Sequence, residues 1–234
     1  TFNGIVESNT GDASKTIVLG AHLDSVPTGP GINDNGATAA ALLEIALGMK
    51  DEVVKNKVRY IFWGGEEWGL VGSSFYVRSL GQADKANIAF YLNFDMIASP
   101  NYLLGVYTGT DYVPNSYGEL GSAVLARAFH REYKKRNSPS VGFIIGNRGD
   151  HAEFAMAGIP TAGLCTGADG HKSRRAAQMF GGVAGRLLDP CYHQACDDMK
   201  NLNLKALKIN AEVMHGMARS FSQSLEGLET LRHN

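Results

Sequence analysis

The 234-residue chain has only three cysteines, no apolar run approaching the ~18–20 residues of a membrane-spanning helix, and almost no net charge, with 22 basic against 23 acidic residues. Each scarcity removes a class of explanation. No segment reads as a membrane span, and the first residues lack the basic-then-apolar pattern of a secretory leader. A processed or truncated chain fits that absence, since Thr1-Phe2-Asn3 opens almost directly into a strand-like segment. With a charge of −1 and interspersed signs, nothing argues for nucleic acid. The short basic cluster Lys134-Lys135-Arg136 closes a helix-like stretch, where cations favour the dipole end, and reads as a solvated face. There is no N-x-[ST] sequon, no G-x-S-x-G elbow and no G-x-x-x-x-G-K-[ST] loop, and Gly29-Pro30-Gly31 lacks the third glycine of a dinucleotide fingerprint.

What is there is a chain 44% hydrophobic and long enough for a substantial core, read as one domain over 1–234. Apolar β-rich runs at 16–21, 57–63, 88–94, 103–107, 140–145 and 160–164 read as strands, near-continuously apolar where both sheet faces are covered. Between them lie helical patterns. Ala39, Leu42, Leu43, Ala46 and Leu47 recur at helical spacing in 36–49, as do Leu120, Val124, Ala128 and Tyr133 in 116–136 and Leu207, Val213, Met214 and Met217 in 204–225. The alternation predicts an α/β fold, a mixed, largely parallel β-sheet sandwiched between α-helices. The longest irregular region, 166–189, is rich in glycine, and a loop of that length is more often functional than idle.

Chemistry concentrates where apolar runs end. GAHLDSV with GINDNG, FWGGEEWGL, YLNFDM and PCYHQAC supply His22, Asp34, Glu67, Asp95 and His193, with Glu66 beside Glu67. In open α/β sheets ligands bind beyond the carboxyl ends of strands, so separate segments would deliver these residues to one edge. Neighbours in a strand point to opposite faces, but after the Gly64-Gly65 turn both acids can face one cavity. Two imidazoles and three carboxylates suit a pair of cations such as zinc, with a carboxylate bridging ions ~3.5–4 Å apart. The pair also resolves a conflict, because unpaired carboxylates converging on a partly buried place are unfavourable.

Each residue also has an ordinary reading. His22-x-Asp24 could be loop polarity, Asp34 a turn residue or helix cap, Glu66 and Glu67 solvated charges, Asp95 a turn cap and His193 a surface residue. Jointly, five coincidences at strand ends outweigh those readings, and Asp24 becomes an acceptor fixing the His22 tautomer. Asp150 reads as the N-cap of a short helix opening at His151. Cys191 and Cys196 flank His193; a disulfide is preferred over a thiolate zinc site because the spacing is not that of a finger. It would fix Tyr192 and His193 and place the protein in an oxidising compartment, extracellular or a vacuole-like lumen. Cys165 reads as an inert buried thiol. No role is assigned to His171, nor to His130, His215 and His233.

These runs, with GDHAEF and CYHQACD, resemble the co-catalytic zinc aminopeptidases of the secreted bacterial leucine-aminopeptidase and fungal aminopeptidase Y type, over nearly the whole chain and in the same order. The resemblance implies a zinc-exopeptidase fold and two Zn2+ per chain. His22 and Asp95 would hold one ion and Glu67 and His193 the other, with Asp34 bridging. Glu66 would be the general base toward a zinc-bridging water, Tyr192 the oxyanion donor, and the peptide after Asp34 cis. Substrates would be peptides with a free N-terminus, and no membrane or nucleic-acid partner is implied. Trp68, Met96, Arg148 and the 166–189 loop are candidates for the substrate pocket. Three departures stand out: the family's N-terminal segment, or a propeptide, would precede Thr1; Asn147-Arg148-Gly149 replaces a Gly-Arg-Ser-like stretch; and Cys165 stands where relatives place an aromatic. Two rivals remain. One is a carboxypeptidase or amidohydrolase whose cationic clamp would be Arg174-Arg175, the other a receptor-like domain that should have lost ligands.

Overall fold

The computed structural model describes residues 1–108 and 117–228, and side chains other than those of 117–120 within them. Seven strands form one sheet in the order β1-β3-β2-β4-β7-β5-β6: β1 (Gly4–Glu7), β2 (Asp12–His22), β3 (Asn56–Trp63), β4 (Ile88–Phe94), β5 (Gly105–Tyr107), β6 (Val141–Gly142) and β7 (Thr161–Cys165). The central strands β3, β2, β4 and β7 run parallel, while β1 and β5 join antiparallel to β3 and β7. The expected mixed, largely parallel sheet is what forms.

The continuous apolar runs follow from burial on both faces. Ile17 and Leu19 of β2, Tyr60 and Phe62 of β3, and Leu92 and Phe94 of β4 join the larger core under α1 (Ala37–Met49), α4 (Tyr117–Lys135) and α7 (Leu204–Gln223). The alternate residues Val18, Ile61, Trp63 and Tyr91 face the other way, against α2 (Val71–Ser79) and α5 (His151–Met156). Here Trp63 donates to the Tyr91 hydroxyl at 2.8 Å, and the Tyr91 ring stacks on Phe154.

Several elements differ from the sequence expectation. The helices α2, α3 (Gln82–Asn87) and α6 (Arg174–Phe180) carry no clean apolar stripe, and α6 interrupts the supposedly irregular 166–189. The run 140–145 narrows to Val141–Gly142; Phe143 keeps one backbone hydrogen bond to Val106 of β5, and Phe143, Ile144 and Ile145 line a cavity. Lys135 and Arg136 both pair with Glu132, which is buried, so that cluster is not simply a solvated face. Ser116 and His233 lie outside the described residues. Among the described residues no helix is long and apolar enough to cross a membrane.

The sheet sets up the site through its central crossover. From β2 the chain leads to β3 on one side and later to β4 on the other, so a crevice opens beyond the carboxyl ends of these three strands. Close approach of the layers depends on Gly20, whose added Cβ would collide with both Tyr91 and Trp63. We expect Gly20→Ala to lower stability by about 1–3 kcal/mol through overpacking, read as a reduced Tm with little change in far-UV dichroism.

Candidate metal centre

Each strand end delivers its residue to the crevice. His22 closes β2 and is buried; its Nδ1 lies 3.0 Å from the Asp24 carbonyl, an acceptor, which places the proton of a neutral imidazole on Nδ1 and turns Nε2 inward. That Nε2 stands 3.1 Å from Asp34 Oδ1 and 3.5 Å from Asp95 Oδ1. On the other side His193 Nε2 stands 3.1 Å from Glu67 Oε2 and 3.3 Å from Asp34 Oδ2. Asp34 thus offers one oxygen to each group. The two triads, His22–Asp34–Asp95 and Asp34–Glu67–His193, each bring their ligand atoms within 4.8 Å of one another.

These contacts are not aligned hydrogen bonds. His22 Nε2, His193 Nε2, Glu67 Oε1 and Asp95 Oδ1 are buried with no hydrogen-bond partner. Donor atoms that converge from several elements, out of hydrogen-bond alignment and predominantly anionic, form the surroundings of cations, and the N/O set suits zinc.

Local structure explains how each residue is held. The segment Ile32–Gly36 leaves helical geometry at Asp34 (φ −113°, ψ 80°) and Asn35, and the Asp34–Asn35 peptide is cis. Asn35 ties this segment to the end of β4, donating to the Phe94 carbonyl and accepting from Met96 N. After β3 the chain turns at Gly65 (φ +80°), and both Glu66 and Glu67 face the cavity. Asp24 fixes that turn: its two carboxylate oxygens accept from Glu66 N and Glu67 N at 3.0 and 3.1 Å. The carbonyl of Asp24, closer than its carboxylate at 3.7 Å, meets His22, so the two functions are divided between backbone and side chain.

Tyr192 and His193 sit on a turn closed by the Cys191–Cys196 disulfide. His193 takes a positive φ of 59°, its carbonyl accepts from Thr28 Oγ1, and its ring stacks on Tyr192 at 3.8 Å. Arg148 donates to the Tyr192 hydroxyl at 3.2 Å and pairs with Asp169. Burial pushes the Tyr192 phenol well above its ordinary pKa against the pull of Arg148, so it remains a proton donor.

A cavity of about 330 Å³ adjoins the centre. Its polar side is Asp34, Glu66, Glu67, Asp95 and Tyr192; its apolar side is built chiefly from Met96, Phe143, Ile145, Cys165 and Ala168. Met96 and Arg148 line it, as does the 168–170 part of the glycine-rich stretch. Trp68 does not: it is 70% exposed, carried outward by the turn after Glu67. Arg174 and Arg175 are exposed on α6 and do not line the cavity, and His171 is exposed beside its bridge to Leu187. Asp150 is a correction too. It makes no cap hydrogen bond; it is buried, its Oδ1 is unpartnered, and burial raises its pKa to about 7. A chain position before a helix signals a cap equally well whether the side chain turns to the helix or into the core. No local signal distinguishes the two.

Charge crowding leaves its mark on basicity. Burial, then the charges of Asp95, Asp150 and Glu67, push Glu66 up to about 9; burial and Asp34 push Glu67 up to about 7. Burial opposes charging of His22, but Asp95 and Asp34 outweigh it and raise its pKa. Asp34 is lowered, because the imidazoles of His193 and His22 outweigh its burial.

Comparison with known proteins places this geometry among relatives. The sequence matches the model of peptidase family M28 over residues 3–218. It is 45% identical over 214 residues to an aminopeptidase of Pseudomonas aeruginosa (strain PAO1), spanning 92% of this chain and 40% of that one. It is 42% identical over 228 residues to a probable leucine aminopeptidase 2 of Aspergillus fumigatus, spanning 97% and 46%. The chain thus spans less than half the length of these curated relatives. The fold matches BSAP, a zinc aminopeptidase from Bacillus subtilis, with a TM-score of 0.73 at 23% identity over 96% of this chain and 50% of that one. It also matches the LapA aminopeptidase of Legionella pneumophila, with a TM-score of 0.71 at 21% identity over 96% and 59%.

Two outcomes follow from this geometry. In metal-free protein the raised carboxylates and imidazoles bind more protons folded than unfolded. Stability should therefore fall as pH rises from the unfolded carboxylate value of 4.5 toward about 9. Chelated protein should show a falling Tm across that range; protein saturated with Zn2+ should not, since cations displace those protons. A parallel pH dependence of the two forms would contradict the site. Replacing Cys191 and Cys196 by serine should weaken ion binding at His193 before the fold is lost, because so short a loop gives less than the ~3 kcal/mol of a 15-residue closure. Metal titration beside thermal melting checks the order.

Proposed function

This chain belongs to peptidase family M28, and from that premise we propose that it is the catalytic part of a di-zinc aminopeptidase that removes the N-terminal residue of peptides. The observation that carries the reading is Asp34, whose two oxygens face two imidazoles from opposite sides, each completing a separate triad. His22 and Asp95 would hold one ion, Glu67 and His193 the other, with Asp34 common to both. Such a pair supplies Lewis acidity at the substrate carbonyl and lowers the pKa of water.

The chain's own groups do the rest. Glu66 is a carboxylate at the cavity that belongs to neither triad and is therefore left free for proton transfer. It accepts the proton of the attacking water and passes it to the leaving amine. Tyr192, kept protonated, donates to the developing oxyanion, a contribution of about 3–4 kcal/mol in comparable sites. The substrate α-ammonium rests against the negative charge of Asp95 and Glu66, which restricts the reaction to a free N-terminus. Met96, Phe143 and Ile145 accept an apolar first side chain. The disulfide accords with an oxidising compartment outside the cell or in a vacuole-like lumen.

A carboxypeptidase reading needs a free cation for a substrate carboxylate. Arg148 is the cation among the lining residues, and Asp169 and Tyr192 already engage it. Against a receptor-like reading, both triads and Glu66 are complete.

An aminoacyl-anilide should therefore be cleaved and its N-acetylated counterpart left intact; cleavage of both would refute exopeptidase action. Glu66→Gln should lower kcat by at least about a hundredfold while two metals remain bound. Glu67→Gln should lose one of them, and Tyr192→Phe should lower kcat with KM little changed. Elemental analysis of each variant supplies the stoichiometry.

A further inference from the structure

We propose that Asp197 is a positioning residue that holds the backbone of Asp34 and locks it to the loop carrying Tyr192 and His193. The proposal rests on the two-ion reading above. Asp197 is 2% exposed, and its carboxylate grips consecutive backbone amides: Oδ1 accepts from Asn33 N at 2.9 Å, Oδ2 from Asp34 N at 3.0 Å. Its own backbone continues the link, the carbonyl accepting from Ile32 N and the amide donating to the Gln194 carbonyl. Asp197 directly follows Cys196, so one residue joins the end of the disulfide-closed turn to the segment bearing the shared carboxylate.

A second buried carboxylate braces the first. Asp189 accepts from Asn33 Nδ2 at 2.6 Å and from Cys191 N at 2.8 Å, at the other end of the same turn. Asn201 donates to both acids. Among the described residues neither Asp189 nor Asp197 has an ion-pair partner. Two charges taken out of water without counter-cations are unfavourable, and here amide donors alone stabilise them. A core built for stability alone would be better served by apolar side chains. What the carboxylate provides that a methyl group cannot is a fork of fixed width for two adjacent N–H groups. Those are the amides of a segment whose backbone departs from regular helical geometry at Asp34 and Asn35. Asp34 needs that support, because each of its oxygens must meet a histidine from a different element. The same fork makes the Asp34 segment and the His193 turn move as one body, so the two ion sites are mechanically coupled.

The test is Co2+ titration of chelator-treated protein, followed by calorimetry and visible absorption, on wild type, Asp197→Asn and Asn56→Ala. The amide of Asp197→Asn presents a donor to one of the two N–H groups and breaks the fork. Asn56 is buried at the first position of β3, at the opposite end of the strand from the crevice, and donates to the Phe221 carbonyl; its removal should lower Tm by the loss of a buried amide contact away from the site. We expect Asp197→Asn to bind the second Co2+ about 10–100-fold more weakly, with an altered absorption band and a lower kcat at little-changed KM. Asn56→Ala should keep wild-type affinity and spectrum. The assignment is overturned if Asp197→Asn matches wild type in both, or if Asn56→Ala loses affinity equally for the same drop in Tm. Should Asp197→Asn not fold, hydrogen exchange on metal-free wild type decides. The amides of Asn33 and Asp34 should already be protected, and protection that appears only on adding Co2+ overturns the assignment. Wild type taking fewer than two Co2+ would overturn the two-ion reading itself; wild type taking two while the variant does the same overturns only Asp197.

Discussion

Asp34, Glu66, Glu67 and Asp95 are drawn into one crevice where burial strengthens their mutual repulsion. A protein cannot hold such a group together by contacts among its members, since they repel. It must hold each one from behind. Much of the structure around the crevice can be understood as that restraint.

The sheet supplies the coarse restraint. Parallel strands buried on both faces have no freedom to slide, because a slip of one residue would exchange the large core of α1, α4 and α7 for the aromatic layer around Trp63 and Phe154. His22, at the last position of β2, and the acids just beyond β3 and β4 inherit that rigidity. The fine restraint comes from polar side chains that grip backbone amides. Asp24 holds Glu66 and Glu67, Asn35 holds the end of β4, and Asp197 holds Asn33 and Asp34. Asp24 and Asp197 act on segments with no regular hydrogen-bond ladder, where side chains must replace it, and Asn35 acts where the β4 ladder ends.

The turn bearing Tyr192 and His193 is the extreme case. It belongs to no strand or helix, and His193 occupies a left-handed backbone conformation. Its disulfide, the ring stacking of Tyr192 on His193, and the hydrogen bond from Arg148 stand in for a secondary-structure element. Such a turn is placed by tertiary contacts, and it would be the first part of the site to lose its geometry if they failed.

The sequence by itself determined the sheet, its principal helices, and the residues that converge at its edge. Those signals are local: an apolar run dictates a buried strand, and an acid or imidazole at its end marks the crevice. It also carried the cis peptide and the Cys191–Cys196 pair, through resemblance and spacing. It did not determine which way a side chain turns at an irregular position. Asp150 reads as a cap and is buried; Trp68 reads as a pocket wall and faces solvent; Phe143 and Ile145 read as strand and line the cavity. Nor did it pair Asp197 with the amides of Asn33 and Asp34, more than 160 residues away. Hydrophobic periodicity reports only whether an element has a buried face. The partner of a polar group at a chain reversal is fixed by whatever the fold brings opposite it, and that is decided only when the layers pack.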